Sequence, residues 1–323
     1  MFVDRLVQKI GETGSILLAG CDPVFENLPQ YLLEAAAKSA TTDEEFVSRV
    51  LNRFTDVFIA GITKKVPAVK PNIAFFEQYG VPGVIAFDRF CVKAHEAGLL
   101  VIADAKRGDI GTTASAYARA FLGVSKVGGR SLTGFCADAV TVNPYLGFDT
   151  LEPFISECET HGKGIYVLVQ TSNPGAKDIE GLTCEGRTVS ERVADWLATQ
   201  SHRLQGDCGW SGLGAVVGAT YPEEARALRS RMPSCFFLIP GYGAQGGKAS
   251  DAVASFTAAP NVTVAGGGSD VSVRPTSQRG GGIINASRAL LTGDASDDDS
   301  FVACITANAT SMNADLNSAR EAF

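Results

Sequence analysis

Eight short apolar runs, each followed by a polar or Gly/Pro-rich cluster and then by a longer amphipathic segment, organise this sequence of 323 residues. Runs of this length and composition are typical of strands buried on both faces. Their alternation with helical segments predicts a parallel sheet, and eight repeats predict an α/β fold closed into a (β/α)8 TIM barrel. The alternative is a doubly wound open sheet, which does not normally need eight units and whose GxGxxG signature does not follow the first run. The runs are Ser15–Gly20, Val66–Val69, Leu99–Ala103, Asp138–Val142, Gly164–Gln170, Leu213–Gly218, Cys235–Ile239 and Gly282–Asn285.

No break in composition divides the chain, so we expect one barrel domain over residues 1–323. The N-terminal MFVDRLVQKIGETG has the pattern of a short amphipathic helix. Surface loops are expected over Ser125–Phe135 and Ala258–Arg279, because both are rich in Gly, Ser and Thr. From about residue 294 we expect a helical extension on the outside of the barrel, with Asp297–Asp299 as its start.

Composition and charge restrict the partners of the chain. A formal net charge of −7 disfavours nucleic acid and anionic membranes as partners. The eight cysteines include no CxxC pair and are typical of reduced thiols, so a cytoplasmic protein is expected. No apolar stretch approaches the roughly 18 residues that span a bilayer. The three histidines lie beside neither a glycine-rich turn nor a cluster of acids, which argues against histidine-based acid–base or metal chemistry.

One strand end is much more charged than the others. The stretch LLVIADAKRGDIGTT, residues 99–113, places Asp104, Lys106 and Asp109 within six residues. In a strand, residues two apart point the same way, so the first carboxylate and the ammonium share a side. Such a cluster is costly to desolvate at the end of a buried strand. The cluster is either structural, an ion-pair network that only fixes the conformation of a loop, or catalytic.

Polar side chains also follow most of the other predicted strands. The C-terminal ends of the strands form the active site in a barrel of this kind, so these side chains should converge on one mouth. After the seventh run, GYGAQGG would let backbone N–H groups approach an anion, and an arginine after the eighth could hold a phosphate through two hydrogen bonds. The alternative for the glycines is a flexible turn. The converging residues are Asp22, Lys70, Asp104, Lys106, Ser172, Gln245 and Arg288.

These motifs resemble the orotidine 5′-phosphate decarboxylase family. The stretch ADAKRGDIGTT fits the family signature DxKxxDI…T, and CDP, VKPN, TSNPG, PGYGAQGG and SRAL follow the family order and spacing from about Gly20 to Leu291. DxKxxD alone is shared with barrel enzymes that act on sugar phosphates, whereas VKPNIAFFE and PGYGAQGG are specific. The long first connection and KPNIAFFE are most similar to the longer branch of the family. The segment SDVSVRPTSQRGGGIIN departs from the pattern, which has a tighter approach to strand eight, and the tail after Gly293 has no counterpart.

The resemblance implies cofactor-independent decarboxylation of orotidine 5′-monophosphate to UMP, the last step of de novo pyrimidine synthesis, with neither a cofactor nor a metal. It implies that Lys106 protonates C6 of the pyrimidine as carbon dioxide leaves. Asp104 and Asp109 would flank this lysine, and Lys70 would complete an array of alternating charges.

The resemblance further implies a homodimer with shared active sites. Asp109, Ile110 and Thr113 would enter the site of the neighbouring subunit. The substrate-binding positions would be Asp22 and Lys70 for the ribose hydroxyls, Ser172 for the amide edge of the pyrimidine, Gln245 and Arg288 for the 5′-phosphate, and Pro240 at the start of the glycine-rich loop.

Two other functions remain open from the residues. A sugar-phosphate decarboxylase or aldolase on the same barrel would use Mg²⁺ and needs a further acidic ligand, typically a Glu near the end of strand two. This chain has Lys70-Pro71-Asn72 at that place. A silent nucleotide-binding barrel would not require Lys106 between two aspartates, because a buried ion cluster costs stability. Turnover without added metal would separate the three functions.

Overall fold

A closed barrel of eight parallel strands forms the centre of the computed structural model, which describes residues 1–243, 246–260 and 279–323. Every predicted apolar run is a strand, so the predicted TIM barrel is confirmed. The strands pair in chain order, and the ring closes where Leu17 of the first strand lies opposite Ile284 of the last. The barrel strands are β1 (Leu17–Cys21), β2 (Ala68–Pro71), β3 (Leu100–Arg107), β4 (Ala139–Val142), β5 (Gly164–Gln170), β6 (Ser211–Val217), β7 (Cys235–Ile239) and β8 (Gly282–Ala286).

Helices connect consecutive strands and cover the outside of the barrel. The longest connecting helix begins after Thr42, whose hydroxyl accepts a hydrogen bond from the Glu45 amide, and it has three acidic residues in its first turn, where the helix dipole favours negative charge. None of the helices in the described ranges is long and apolar enough to cross a membrane. The helices are α1 (Phe2–Thr13), α2 (Gln30–Ala37), α3 (Asp43–Ile62), α4 (Ala74–Glu77), α5 (Gly80–Glu96), α6 (Gly111–Leu122), α7 (Glu152–His161), α8 (Val189–Gln200), α9 (Pro222–Arg231), α10 (Ala249–Ala252) and α11 (Asp298–Ala322).

The barrel interior is apolar at one end and polar at the other. Phe2, Val3 and Leu6 of α1 close the N-terminal end by packing against the inward-facing side chains of the strands. Side chains alternate along a strand, so the residue two positions after each inward-facing apolar residue also faces inward. At the C-terminal end these positions include Lys70 and Asp104. The apolar inward-facing residues are Leu18, Ala68, Leu100, Ile102, Ala139, Tyr166, Val216, Phe236, Leu238 and Ile283.

A buried carboxylate ties α1 to the N-terminal end of the barrel. The Asp138 carboxylate accepts hydrogen bonds from Arg5 Nη1 at 2.8 Å and from the Val101 amide at 2.9 Å, and it lies 2.8 Å from His95 Nε2. Burial alone would raise its pKa, but these hydrogen bonds and the Lys163 charge lower the pKa to about 2. The cluster lies at the end of the barrel that serves stability rather than catalysis.

The prediction of a surface loop over Ser125–Phe135 is wrong, because this segment contains most of an antiparallel hairpin. Its strands are Val124–Val127 and Arg130–Thr133, joined by two glycines with positive φ. A Gly-Gly pair is a hairpin signal in its own right. Because both strands are largely exposed, their polar composition resembles that of a loop. Most of the other predicted loop, Ala258–Arg279, lies outside the described residues.

The predicted C-terminal helix is α11, and it lies on the outside of the barrel against α3. Asp297 begins it by accepting a hydrogen bond from the Ser300 amide at 2.8 Å. Thr306 Oγ1 donates to the carbonyl of Gly61 at 2.9 Å, and the Ile305 side chain fills the space where a Cβ at Gly61 would stand. A side chain at that glycine would therefore separate the two helices.

Candidate active site

Three of the predicted charges form one array at the C-terminal end of the barrel. Lys70 Nζ and Lys106 Nζ each donate to a different oxygen of the Asp104 carboxylate, both at 2.6 Å. Lys70 and Asp104 are buried, whereas the Lys106 side chain is 48% exposed. One carboxylate therefore bridges two ammonium groups, and the outer ammonium faces the open mouth.

Burial and charge oppose each other in this array. Burial alone would lower the pKa of Lys70, but the carboxylates of Asp104 and Asp22 hold it above its ordinary value. Burial alone would raise the pKa of Asp104, but the two lysines hold it well below its ordinary value. Buried charges are retained in proteins when they are paired and hydrogen-bonded, as they are here. Lys70 and Asp104 are therefore both charged at neutral pH.

The backbone at Lys106 is unusual, and a residue that the sequence reasoning missed holds it. The φ angle of Lys106 is +46°, and the pairing of β3 with β4 shifts register between Ala103 and Arg107. The hydroxyl of Thr141, in β4, donates to Asp104 Oδ1 at 3.0 Å and accepts from the Lys106 amide at 2.9 Å. Its place two residues after Ala139 marks it as inward-facing once the barrel shows which side chains of β4 face inward.

Asp22, after β1, lies close enough to the array for its charge to interact with Lys70 and Asp104. Its Oδ1 is buried and has no hydrogen-bond partner among the described residues, and the same holds for Asn285 Oδ1 in β8. Burial raises the pKa of Asp22 above its ordinary value, although the Lys70 charge opposes this. Asp22 follows β1 and Asn285 lies in the neighbouring strand β8, and unsatisfied buried acceptors of this kind indicate a place for a ligand with hydroxyl donors. Sequence reasoning did not identify Asn285.

Two glycines allow Ser172, the residue predicted to contact the pyrimidine, to lie close to the neighbouring strands. A Cβ at Gly218, directly after β6, would stand 3.0 Å from Ser172 Cα, and one at Gly241 would stand 3.4 Å from its Cβ. Ser172 therefore lies against the C-terminal ends of β6 and β7. Pro240 begins the loop after β7, and its carbonyl accepts a hydrogen bond from the Ala219 amide at 2.8 Å.

The predicted binding site for the 5′-phosphate is formed by the segments that follow β7 and β8. Arg288 begins the 3₁₀ turn Arg288–Leu291, which is separated from β8 by one residue. Its side chain is exposed, and it makes no ion pair within the part of the chain that is described. Gly243 and Gly246 have φ angles of +77° and +89°, and the amide of the second donates to the carbonyl of the first at 2.8 Å. Gln245 lies outside the described residues.

The remaining three predicted residues form no ion pair or hydrogen bond with Lys106 in the described part of the chain. Asp109 precedes α6, and its carboxylate accepts a hydrogen bond from the Ile110 amide at 2.8 Å. Asp109 takes part in no ion pair in the described ranges. Ile110 is 61% exposed, and Thr113 is exposed on the first turn of α6. A single chain therefore does not bring these three side chains into the charged array.

Comparisons with known proteins agree on one family. The family described as orotidine 5′-phosphate decarboxylase / HUMPS matches residues 56–292. The chain is 43% identical over 258 residues to an orotidine 5′-phosphate decarboxylase of Rhodopirellula baltica, covering 80% of this chain and 83% of that protein. It is 35% identical over 320 residues to that of Clostridium tetani, covering 98% of each. The structure of Leishmania donovani OMP decarboxylase is similar, with a TM-score of 0.67, 28% identity and coverage of 100% and 99%.

Proposed function

The chain belongs to the orotidine 5′-phosphate decarboxylase family, whose reaction is the decarboxylation of orotidine 5′-monophosphate to UMP, and from that premise we propose that Lys106 is its proton donor. This makes the protein a carboxy-lyase of pyrimidine synthesis. The observation that carries the proposal is the Lys70–Asp104–Lys106 array, in which both ammonium groups lie 2.6 Å from one buried carboxylate.

The reaction needs a fixed positive charge at one carbon atom. The bond between C6 and the carboxylate breaks, carbon dioxide leaves, and the electron pair stays on C6 as a carbanion that no π system delocalises. The ammonium of Lys106 stabilises this carbanion and then gives it a proton, so that C6 gains hydrogen and the lysine becomes a neutral amine. An ammonium already held by Asp104 needs no reorganisation at that moment, and it interacts more strongly with the carbanion than with the bound substrate.

The other residues of the mouth are proposed to hold the nucleotide. The unpaired carboxylate oxygen of Asp22, with Lys70, would bind the ribose hydroxyls. Ser172 would meet the amide edge of the pyrimidine, Arg288 and Gln245 would hold the 5′-phosphate, and Pro240 would line the ring. Phosphate contacts far from C6 can lower the barrier when their binding energy is used in the transition state.

We propose a homodimer in which Asp109, Ile110 and Thr113 complete the site of the partner subunit. Two observations support this: Ile110 is exposed, and Asp109 forms no ion pair among the described residues of its own chain. A cytoplasmic location is part of the proposal, and it is supported by eight cysteines that are all free thiols.

The test is the ultraviolet absorbance of orotidine 5′-monophosphate mixed with the protein in excess EDTA. We expect the absorbance of the substrate to fall with the native chain and not with Lys106→Ala, while that variant still binds UMP. Lys38→Ala removes an exposed lysine at the end of α2 and is the matched control, which should retain full turnover. Turnover only after Mg²⁺ is added would instead favour the sugar-phosphate enzymes, and UMP binding without any turnover would favour a silent barrel.

A further inference from the structure

A single buried hydroxyl connects the two groups on which the proposed proton transfer depends. Thr141 is 2% exposed, and its Oγ1 donates to Asp104 Oδ1 at 3.0 Å. The same oxygen accepts hydrogen bonds from the Ala105 amide at 3.0 Å and the Lys106 amide at 2.9 Å. A threonine hydroxyl has one donor and two acceptor lone pairs, so this geometry uses its whole capacity.

The backbone that these bonds hold is one that lysine rarely adopts. With φ at +46°, Lys106 lies in the left-handed region, where a non-glycine residue persists only if its surroundings fix it. The regular ladder between β3 and β4 is also interrupted here, between Ala103 and Arg107. The Ala105 amide at the interruption is buried and the Lys106 amide is partly buried, and the Thr141 hydroxyl accepts from both. It therefore takes the place of the ladder carbonyl that the register shift removes.

The position of the lysine ammonium depends on this backbone and on the Asp104 carboxylate, and Thr141 holds both from the neighbouring strand. We propose that Thr141 is a positioning residue for the protonation of C6: it sets where Lys106 Nζ stands and acts only through Lys106 and Asp104. This inference rests on the proposed role of Lys106. It predicts that the hydroxyl matters for the chemical step and contributes little to nucleotide binding.

Thr141→Val keeps the shape of the side chain and removes the hydroxyl. We expect kcat to fall by on the order of 10- to 100-fold, because a small displacement of a reacting group has effects of that size. We expect KM and the dissociation constant of UMP to change by less than about 2-fold, since the interaction is used in the transition state and not in binding. Thr141→Ser restores a hydroxyl at the same place and should return kcat to within about 3-fold of the native value.

The matched control is Thr55→Val. Thr55 is equally buried, in α3, and its hydroxyl donates only to the Leu51 carbonyl of its own helix at 2.8 Å. Its replacement removes a buried hydroxyl far from the mouth, so kcat should stay unchanged. Thermal unfolding of all variants shows whether each is folded at the assay temperature.

The outcomes separate this inference from the one on which it rests. If Lys106→Ala retains turnover, the proposed proton donor is wrong. If Lys106→Ala is inactive and Thr141→Val keeps the native kcat, only the positioning role is wrong. Equal losses of kcat and of UMP affinity in Thr141→Val would also overturn it, because they would indicate general disruption of the mouth. If Thr141→Val does not fold, Thr141→Ser decides: a folded serine variant with the kcat loss expected for valine would refute the inference.

Discussion

Mixing two inactive variants tests whether each active site takes Asp109 from a second subunit. In the described part of the chain this carboxylate makes no ion pair, and its neighbour Ile110 is 61% exposed although it is a large apolar side chain. Both properties are expected of residues that lie in an interface in the assembled protein. Lys106→Ala and Asp109→Ala should each abolish turnover when they are the only chain present.

The recovery expected from the mixture follows from counting sites. When equal amounts of the two variants assort at random, about half of the dimers are mixed. In a mixed dimer, the site on the Asp109→Ala subunit has its own Lys106 and receives Asp109 from the partner, so it is intact. The other site lacks both groups. One intact site in half of the dimers gives about a quarter of the native specific activity. If Asp109 served its own chain, every site would lack one group and the mixture would stay inactive.

The assay co-refolds the two variants, or co-expresses them with different tags, and follows the absorbance of orotidine 5′-monophosphate. A reciprocal mixture is the control: the double variant Lys106→Ala/Asp109→Ala is combined with an equal amount of native chain. Shared sites leave only native homodimers active, about a quarter of full activity, whereas unshared sites leave about half. No recovery in the first mixture and half activity in the second would refute the sharing of sites.

Two further predictions concern the opposite ends of the barrel. Arg288→Ala should weaken UMP binding by on the order of 10- to 100-fold while uridine affinity stays unchanged, because a hydrogen-bonded contact between charged groups contributes about 1.5 to 3 kcal/mol; calorimetric titration that finds equal UMP affinity would exclude its phosphate role. Asp138→Asn should lower the free energy of unfolding. The folded pKa of about 2 lies below the ordinary value of 3.8, so the carboxylate stabilises the fold above pH 4 and loses this contribution as the pH falls from 3.8 towards 2. Measured by urea unfolding, the free energy of unfolding of the native chain should be higher than that of the variant by about 2.5 kcal/mol at pH 7 and by about 1.3 kcal/mol at pH 3. The same difference at both pH values would contradict this reasoning.

The barrel could be predicted because a strand that is buried on both faces has an almost entirely apolar sequence, which is easily recognised. The ends of the strands were harder to predict where charged residues continue the strand. The third apolar run was placed at Leu99–Ala103, but β3 continues to Arg107, because Asp104 and Lys106 are paired with each other and with their neighbours and so remain in the barrel wall. The hairpin at Val124–Thr133 was missed for the opposite reason, since its strands are mostly exposed and lack the apolar pattern.

Charge made Lys70, Asp104 and Lys106 visible in the sequence, whereas Thr141 and Asn285 are neutral residues in apolar surroundings and could not be recognised by charge. What connects all of them is register. Each of them stands two residues after an inward-facing residue of the same strand. Inward-facing side chains at the C-terminal ends of the strands meet at the mouth of the barrel. A run that is buried on both faces does not show which of its two alternating sets faces inward, because both sets are apolar. Only the closed barrel shows which set faces inward. On seven of its strands, the next residue of the inward-facing set is then Gly20, Lys70, Asp104, Thr141, Gly218, Pro240 or Asn285.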